Sequence, residues 1–92
     1  MDKFKIDLSP AASRDLDDLE SEVVTKVLSN FKILKENPFP RGKLKKKIKG
    51  KKTSFYRLSI DKFRVFYEVQ HMKIVIFRII SKKEADRHIK KL

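Results

Sequence analysis

Between Phe55 and Ile80 the chain reads FYRLSIDKFRVFYEVQHMKIVIFRII, three consecutive stretches in which apolar and aromatic residues alternate with Arg57, Arg64 and Arg78. Alternation with a period of two marks a β-strand with one face in a core and the other outside it. From Phe63 the pattern is strict: Phe63, Val65, Tyr67 and Val69 point one way, and Arg64, Phe66, Glu68 and Gln70 the other. The breaks fall around Asp61-Lys62 and His71-Met72, and joints this short imply an antiparallel meander. Neither joint has the Asn-Gly or Asp-Gly signature of a tight hairpin, so the turn types stay open. One face is expected to bury and the opposite face to present cations.

The rest of the chain supplies the cover. Phe4, Ile6 and Leu8 alternate with Lys5 and Asp7, which suits a short strand. Ser9-Pro10 starts a helix, because the Ser9 hydroxyl can cap a free amide and proline at the first position loses no needed donor. Ala12, Leu16 and Leu19 form its apolar stripe, with Asp15, Asp17 and Asp18 beside Arg14 on the solvent side. Ser21 reads as the next N-cap, followed by Glu22. Val24, Val27, Leu28, Phe31 and Leu34 line a second helix that ends at Asn37-Pro38. The short link makes the two helices an antiparallel hairpin. After the loop Pro38-Phe39-Pro40-Arg41-Gly42, the segment KLKKKIKGKK from Lys43 holds seven Lys in ten residues. Leu44 and Ile48 have the spacing of a helical turn, but Gly50 and the charge density favour a tethered loop. After Ser81, a plausible N-cap, Ala85, Ile89 and Leu92 mark a short, weakly anchored terminal helix. The expected fold is α+β: an N-terminal strand, a helix hairpin packed on a small antiparallel sheet of about four strands, and a C-terminal helix, in one domain over residues 1–92.

Charge separates this chain from an ordinary small domain. Residues 1–40 hold six Lys or Arg against eight Asp or Glu, a net of −2, whereas residues 41–92 hold eighteen against four, a net of +14. A Lys-rich solvated surface would not explain that asymmetry; a polyanion partner, or an acidic protein, would. With no Cys, disulfides and thiolate metal sites are excluded. No apolar run approaches the roughly 18–20 residues of a membrane span, and no signal peptide is read at the start, so a cytoplasmic location is expected.

Conventional catalytic constellations are missing. His71 and His88 are the only histidines, seventeen positions apart and without an acidic cluster, so no metal site is expected. Gly42 and Gly50 fit no nucleotide-binding fingerprint, and no cofactor is expected. What remains is a set of cations. Arg57, Arg64 and Arg78 come from three adjacent strands about 5 Å apart and could converge on one phosphate, which the arginine fork matches. The alternative is that each caps the polar side of its strand or pairs with Glu68. Lys43, Lys45, Lys46, Lys47, Lys49, Lys51 and Lys52, with Arg78 and Arg87, are the candidate cations for a polyanion, which the resemblance described next implies to be RNA.

NPFP with the Lys-rich segment after it, then KGKKTSFYRLSIDKFRVFYEV, then KIVIFRII and a basic tail, resembles the RelE/ParE superfamily of bacterial and archaeal toxins from type II toxin–antitoxin pairs. The resemblance runs from SPAASRDLDDL to the terminal KKL, and FYRLSIDKFRVFYEV is its most specific part. It implies two helices on an antiparallel sheet and one of two activities: cleavage of messenger RNA on the ribosome in the RelE-like branch, or poisoning of DNA gyrase in the ParE-like branch. It also implies a cognate antitoxin, expected here to be acidic. Metal-independent cleavage through the RNA 2′-hydroxyl needs a proton acceptor, cations for the charge developing on phosphate, and a proton donor for the leaving oxygen. By resemblance, Arg64 is the arginine of FRVFYEV and Arg57 the basic residue after Tyr56. The tail departs from the common ending: Lys82, beside Lys83, stands where the family has Arg, and Asp86 where it has Tyr. His88 takes the Tyr place if the register shifts by two. Arg57, Arg64, Lys82, Lys83, Asp86 and His88 are therefore the candidate catalytic residues. The rival outside this family is a small basic RNA-binding or ribosomal protein, for which the same charge would suffice.

Overall fold

The computed structural model describes residues 4–39, 45–49 and 54–91. In chain order the elements are β1 (Lys5–Leu8), α1 (Pro10–Asp17), α2 (Ser21–Glu36), β2 (Lys45–Lys49), β3 (Ser54–Ile60), β4 (Phe63–Gln70), β5 (Lys73–Ser81) and α3 (Lys82–Lys91). The meander forms as its alternation requires, β3 antiparallel to β4 and β4 to β5. Asp61 and His71 take the left-handed backbone at the two joints (φ 50° and 55°), a conformation that Asp and His tolerate better than bulkier residues.

Two features of the sheet differ from expectation. Lys45–Lys49 is a strand, antiparallel to β3, where the sequence favoured a loop; lysine's poor strand propensity yields to the ladder that β3 offers. The N-terminal strand runs parallel to β5, with Lys5 opposite Lys73 and Leu8 opposite Ile76, so the sheet is mixed and not wholly antiparallel. Among the described residues it has five strands in the order β1-β5-β4-β3-β2. A parallel neighbour needs a long connection, and α1 and α2 begin that crossover. The α+β class stands.

Ser9 joins the helices to the sheet. Its Oγ accepts from the Ala12 amide at 3.1 Å, capping α1, while its hydroxyl donates to the Phe77 carbonyl at 3.0 Å. Pro10 occupies the first turn, as expected. In α2 the cap is Glu20, without a side-chain bond, and Ser21 is the first helical residue instead of the N-cap. Asn37 ends the helix with extended backbone, its amide still donating to the Ile33 carbonyl at 3.1 Å.

The main core lies between the helices and one sheet face. Ala12, Val27, Phe31 and Leu34 meet Leu58, Ile60, Val65, Tyr67, Ile74, Ile76 and Ile79, all buried. Truncating a side chain such as Ile76 to Ala there would cost about 2–5 kcal/mol. The other face, expected to present cations with Phe66 among them, carries its own apolar cluster: Phe55, Phe66, Ile80 and Ala85, with Phe77 against them. Phe55 meets Phe66 and Phe77 edge-on at 5.7 and 5.4 Å. Ala85 belongs to α3 and is 1% exposed, so the terminal helix is seated on the sheet and not weakly anchored. Ser81 starts it, its Oγ accepting from the Glu84 amide at 3.2 Å. No helix among the described residues is long and apolar enough to cross a membrane.

Candidate functional site

The second sheet face positions the predicted cations. The register sets Lys46 opposite Arg57, Arg57 opposite Phe66, and Phe66 opposite Arg78, one row across four strands. Arg57 is half-buried, and its Nε is the one buried side-chain nitrogen or oxygen without a hydrogen-bond partner among the described residues. An unsatisfied buried guanidinium nitrogen costs stability. Arg64 lies nearer the β3–β4 turn, opposite Ser59 and Ile80. Its Nη1 donates to the carbonyls of Asp61 and Phe63 at 2.9 and 2.8 Å, which aims the side chain at that turn.

Arg78 is differently employed. It donates from Nε and Nη2 to the Asp15 carboxylate at 2.8 and 3.3 Å, and the same carboxylate accepts from the Ile79 amide at 2.9 Å. The Asp15 hydrogen bond raises the arginine pKa further above its ordinary range. The three arginines therefore do not converge as one set: Arg57 and Arg64 occupy the sheet face, and Arg78 is held by α1. Asp15 escaped the sequence reading, which set it on the solvent side of α1. The available signal was strand length: β1 pairs only Lys73–Ile76 of a nine-residue β5, leaving later β5 amides in need of another acceptor.

The tail cations sit at the start of α3. The Lys82 amide donates to the Lys62 carbonyl at 2.8 Å, placing this helix end beside the β3–β4 turn. Lys82, Lys83, Asp86 and Arg87 are exposed. His88 falls in the last turns of α3, and its side chain lies outside the described residues. In β2, Lys45, Lys46, Lys47 and Lys49 pair with Leu58, Arg57, Tyr56 and Ser54. Lys43, Lys51 and Lys52 lie outside the described residues. No group of His, Asp or Glu among the described residues is arranged to hold a metal ion. The arrangement can bind a phosphate backbone and stabilise negative charge developing on it.

Two further features bear on partners. The β3–β4 turn is tied to α2 by Lys26 Nζ and Asp61 Oδ2 at 2.6 Å, an exposed pair. Ile6, Leu8, Leu28 and Phe31 line an open groove of about 360 Å³ beside the edge strand β1, with Lys32 and Lys35 also lining it.

Comparison with known proteins places this geometry. Residues 6–86 match the family model of the ParE toxin of the type II toxin–antitoxin system parDE. A Methanocaldococcus jannaschii protein named as the candidate toxin RelE1 is 37% identical over 85 residues, covering 90% of this chain and 93% of that protein. In the crystal structure of the archaeal RelE–RelB complex from Pyrococcus horikoshii, a chain superposes with a TM-score of 0.75 at 23% identity, covering 87% of this chain and 96% of that one. A chain of the Mycobacterium tuberculosis toxin–antitoxin complex RelBE2 does so with a TM-score of 0.74 at 19% identity, covering 87% and 99%. With family model, sequence relative and fold in agreement, this chain belongs to the RelE/ParE superfamily of toxins from toxin–antitoxin systems.

Proposed function

We propose that this toxin is a RelE-like endoribonuclease that cuts messenger RNA on the ribosome without a metal, and that a cognate acidic antitoxin silences it. The observation that carries the reading is one sheet face that holds Arg57 and Arg64, with Lys46 in register with Arg57. A phosphate would meet the part of the half-buried Arg57 side chain that solvent reaches. In the reaction the 2′-oxygen bonds to phosphorus as its proton passes to a base, and the P–O5′ bond breaks as the leaving oxygen takes up a proton. Arg57 and Arg64 stabilise the charge on the phosphoryl oxygens, with Lys82 and Lys83 contributing from α3. Proton transfer falls to His88 or Asp86. An antitoxin segment would cover the same cations with carboxylates and seat apolar residues in the groove beside β1.

The second reading is inhibition of DNA gyrase, favoured by the match to a ParE family model. Controlled expression of the chain alone separates the two. Growth arrest with messages cut inside translated codons supports the ribonuclease, and arrest with intact messages and double-strand DNA breaks supports gyrase poisoning. Normal growth at high soluble expression would sink both.

A further inference from the structure

The joint between β3 and β4 is two residues long, Asp61 and Lys62, yet it is fastened on three sides. Asp61 Oδ2 meets Lys26 Nζ of α2 at 2.6 Å, and the Lys62 carbonyl accepts the Lys82 amide of α3 at 2.8 Å. The third tie is to Arg64, whose Nη1 donates to the carbonyls of Asp61 and Phe63 at 2.9 and 2.8 Å. Asp61 holds a left-handed backbone there, φ 50°, so one residue reaches α2 with its carboxylate and Arg64 with its carbonyl.

The way Arg64 is tied leaves a particular part of it free. A guanidinium carries five N–H donors, two of them on Nη1, and two carbonyls meet that nitrogen. Nε and Nη2 make no hydrogen bond among the described residues. Neither is buried, in contrast to Nε of Arg57. Nε and Nη2 together form an edge whose parallel donors match two oxygens of one phosphate. Arg64 is therefore anchored by one nitrogen and offers the other two. A side chain anchored before its ligand arrives loses less rotamer freedom on binding, and its charge stands in place before any reaction starts.

We propose that Lys26 and Asp61 are positioning residues for the cleavage reaction: their ion pair fixes the β3–β4 turn so that its carbonyls hold Arg64 with the Nε–Nη2 edge towards the phosphate. Neither residue touches RNA in this arrangement. The inference rests on the ribonuclease reading and on Arg64 acting in it. An exposed ion pair adds little to stability, so its effect on rate can be read apart from folding.

The test uses Lys26→Met and Asp61→Asn, the second keeping a residue that tolerates the left-handed backbone, with Lys26→Arg to retain the pair. In single-turnover cleavage of messenger RNA on purified ribosomes, Lys26→Met and Asp61→Asn should each lower the saturated rate about fivefold. The ribosome concentration at half-saturation and the denaturation midpoint should stay as in the wild type. Lys26→Arg should keep the wild-type rate, and in an Arg64→Ala background Lys26→Met should have no further effect. Nitrogen NMR of the Arg64 guanidinium reads the anchor without substrate: rotation about Cζ–Nη1 should be slow in the wild type and faster in Lys26→Met. Unchanged rates in Lys26→Met and Asp61→Asn overturn the proposal, and so does an equal loss with Arg64 present or absent. If the wild-type chain cuts no message, the ribonuclease reading falls. The anchor is then judged by NMR alone, and equal rotation in wild type and Lys26→Met ends it.

Discussion

Asp15 and Arg78, sixty-three residues apart, share a two-pronged ion pair whose carboxylate also takes the Ile79 amide. One side chain thereby does for late β5 what β1 does for early β5: it supplies an acceptor to a strand edge. Asp15→Ala should cost about 2 kcal/mol, because it strands a backbone amide and a part-buried guanidinium together. For a chain of this size that is a fall in Tm of roughly 8–16 °C. Asp15→Asn keeps one acceptor and should lose less than half as much by calorimetry. Equal stability of Asp15→Ala and wild type would mean that water serves the amide as well as the carboxylate does.

Arg57 and Arg64 should separate activity from folding in different proportions. Arg64→Ala removes a donor fork from the proposed phosphate site and should slow RNA cleavage about 10²–10³-fold. It also gives up two carbonyl contacts at the β3–β4 turn, so a modest fall in Tm should accompany the lost rate. Arg57→Ala should lower the rate in the same direction with less change in Tm, since its buried nitrogen has no partner to lose. Arg64→Lys keeps charge without the fork and should fall between. Full activity in both alanine variants would move the site elsewhere.

Tyr67 should leave a signature at alkaline pH. Burial, with a smaller contribution from Tyr56, holds its phenol well above the usual value near 10. The folded form keeps its proton where the unfolded chain releases it, so this contribution is complete below about pH 10 and is lost as pH rises beyond that. Denaturation midpoints between about pH 7 and pH 11 should therefore drop more steeply for wild type than for Tyr67→Phe. Near pH 7 the variant should be about 1 kcal/mol less stable, for want of the bond to the Pro38 carbonyl. Parallel curves would show that the Tyr67 phenol ionises alike in the folded and unfolded chain.

The tail substitutions test which group moves a proton. His88→Ala should reduce cleavage most near neutral pH, where an imidazole can both take and give a proton. Asp86→Ala should leave the rate and its optimum in place if His88 carries the chemistry, and should abolish cleavage if Asp86 does. Unchanged pH–rate profiles in both would reduce the tail to a binding element.

Association with the antitoxin should be fast and salt-sensitive. Fields from residues 41–92, with their net of +14, steer an acidic segment but are screened over about 8–10 Å near physiological ionic strength. Stopped-flow association rates should fall steeply with added salt, while dissociation changes less because apolar contacts are not weakened by salt. An association rate indifferent to salt, or a complex that binds RNA as well as the free toxin, would refute a shared face.

Much of the fold was legible because local rules suffice for it. Ser9-Pro10, Asn37-Pro38 and the alternation through β3, β4 and β5 each encode their outcome within a few residues. Arg57 and Arg64 were legible as face residues for the same reason. What escaped was decided over long sequence separations. The Lys45–Lys49 strand has no strand propensity of its own and exists through β3. Asp15 looked like a solvent carboxylate until the short β1 left β5 amides without partners. The Phe55, Phe66, Ile80 and Ala85 cluster was hidden because arginines share its face, and its lid comes from a helix whose pattern is mostly charged.

The parallel pairing of β1 with β5 has a consequence for the order in which the molecule is made. Lys5–Leu8 leaves the ribosome first, yet its ladder is built on Lys73–Ile76. Contacts spanning so much of the chain are slow to form and cannot be replaced by local ones. The first strand must wait, unpaired, for the last. A nascent chain interrupted before β5 is therefore a helix pair and a partial meander without the strand that joins them, and it also lacks α3 with Lys82 and Lys83.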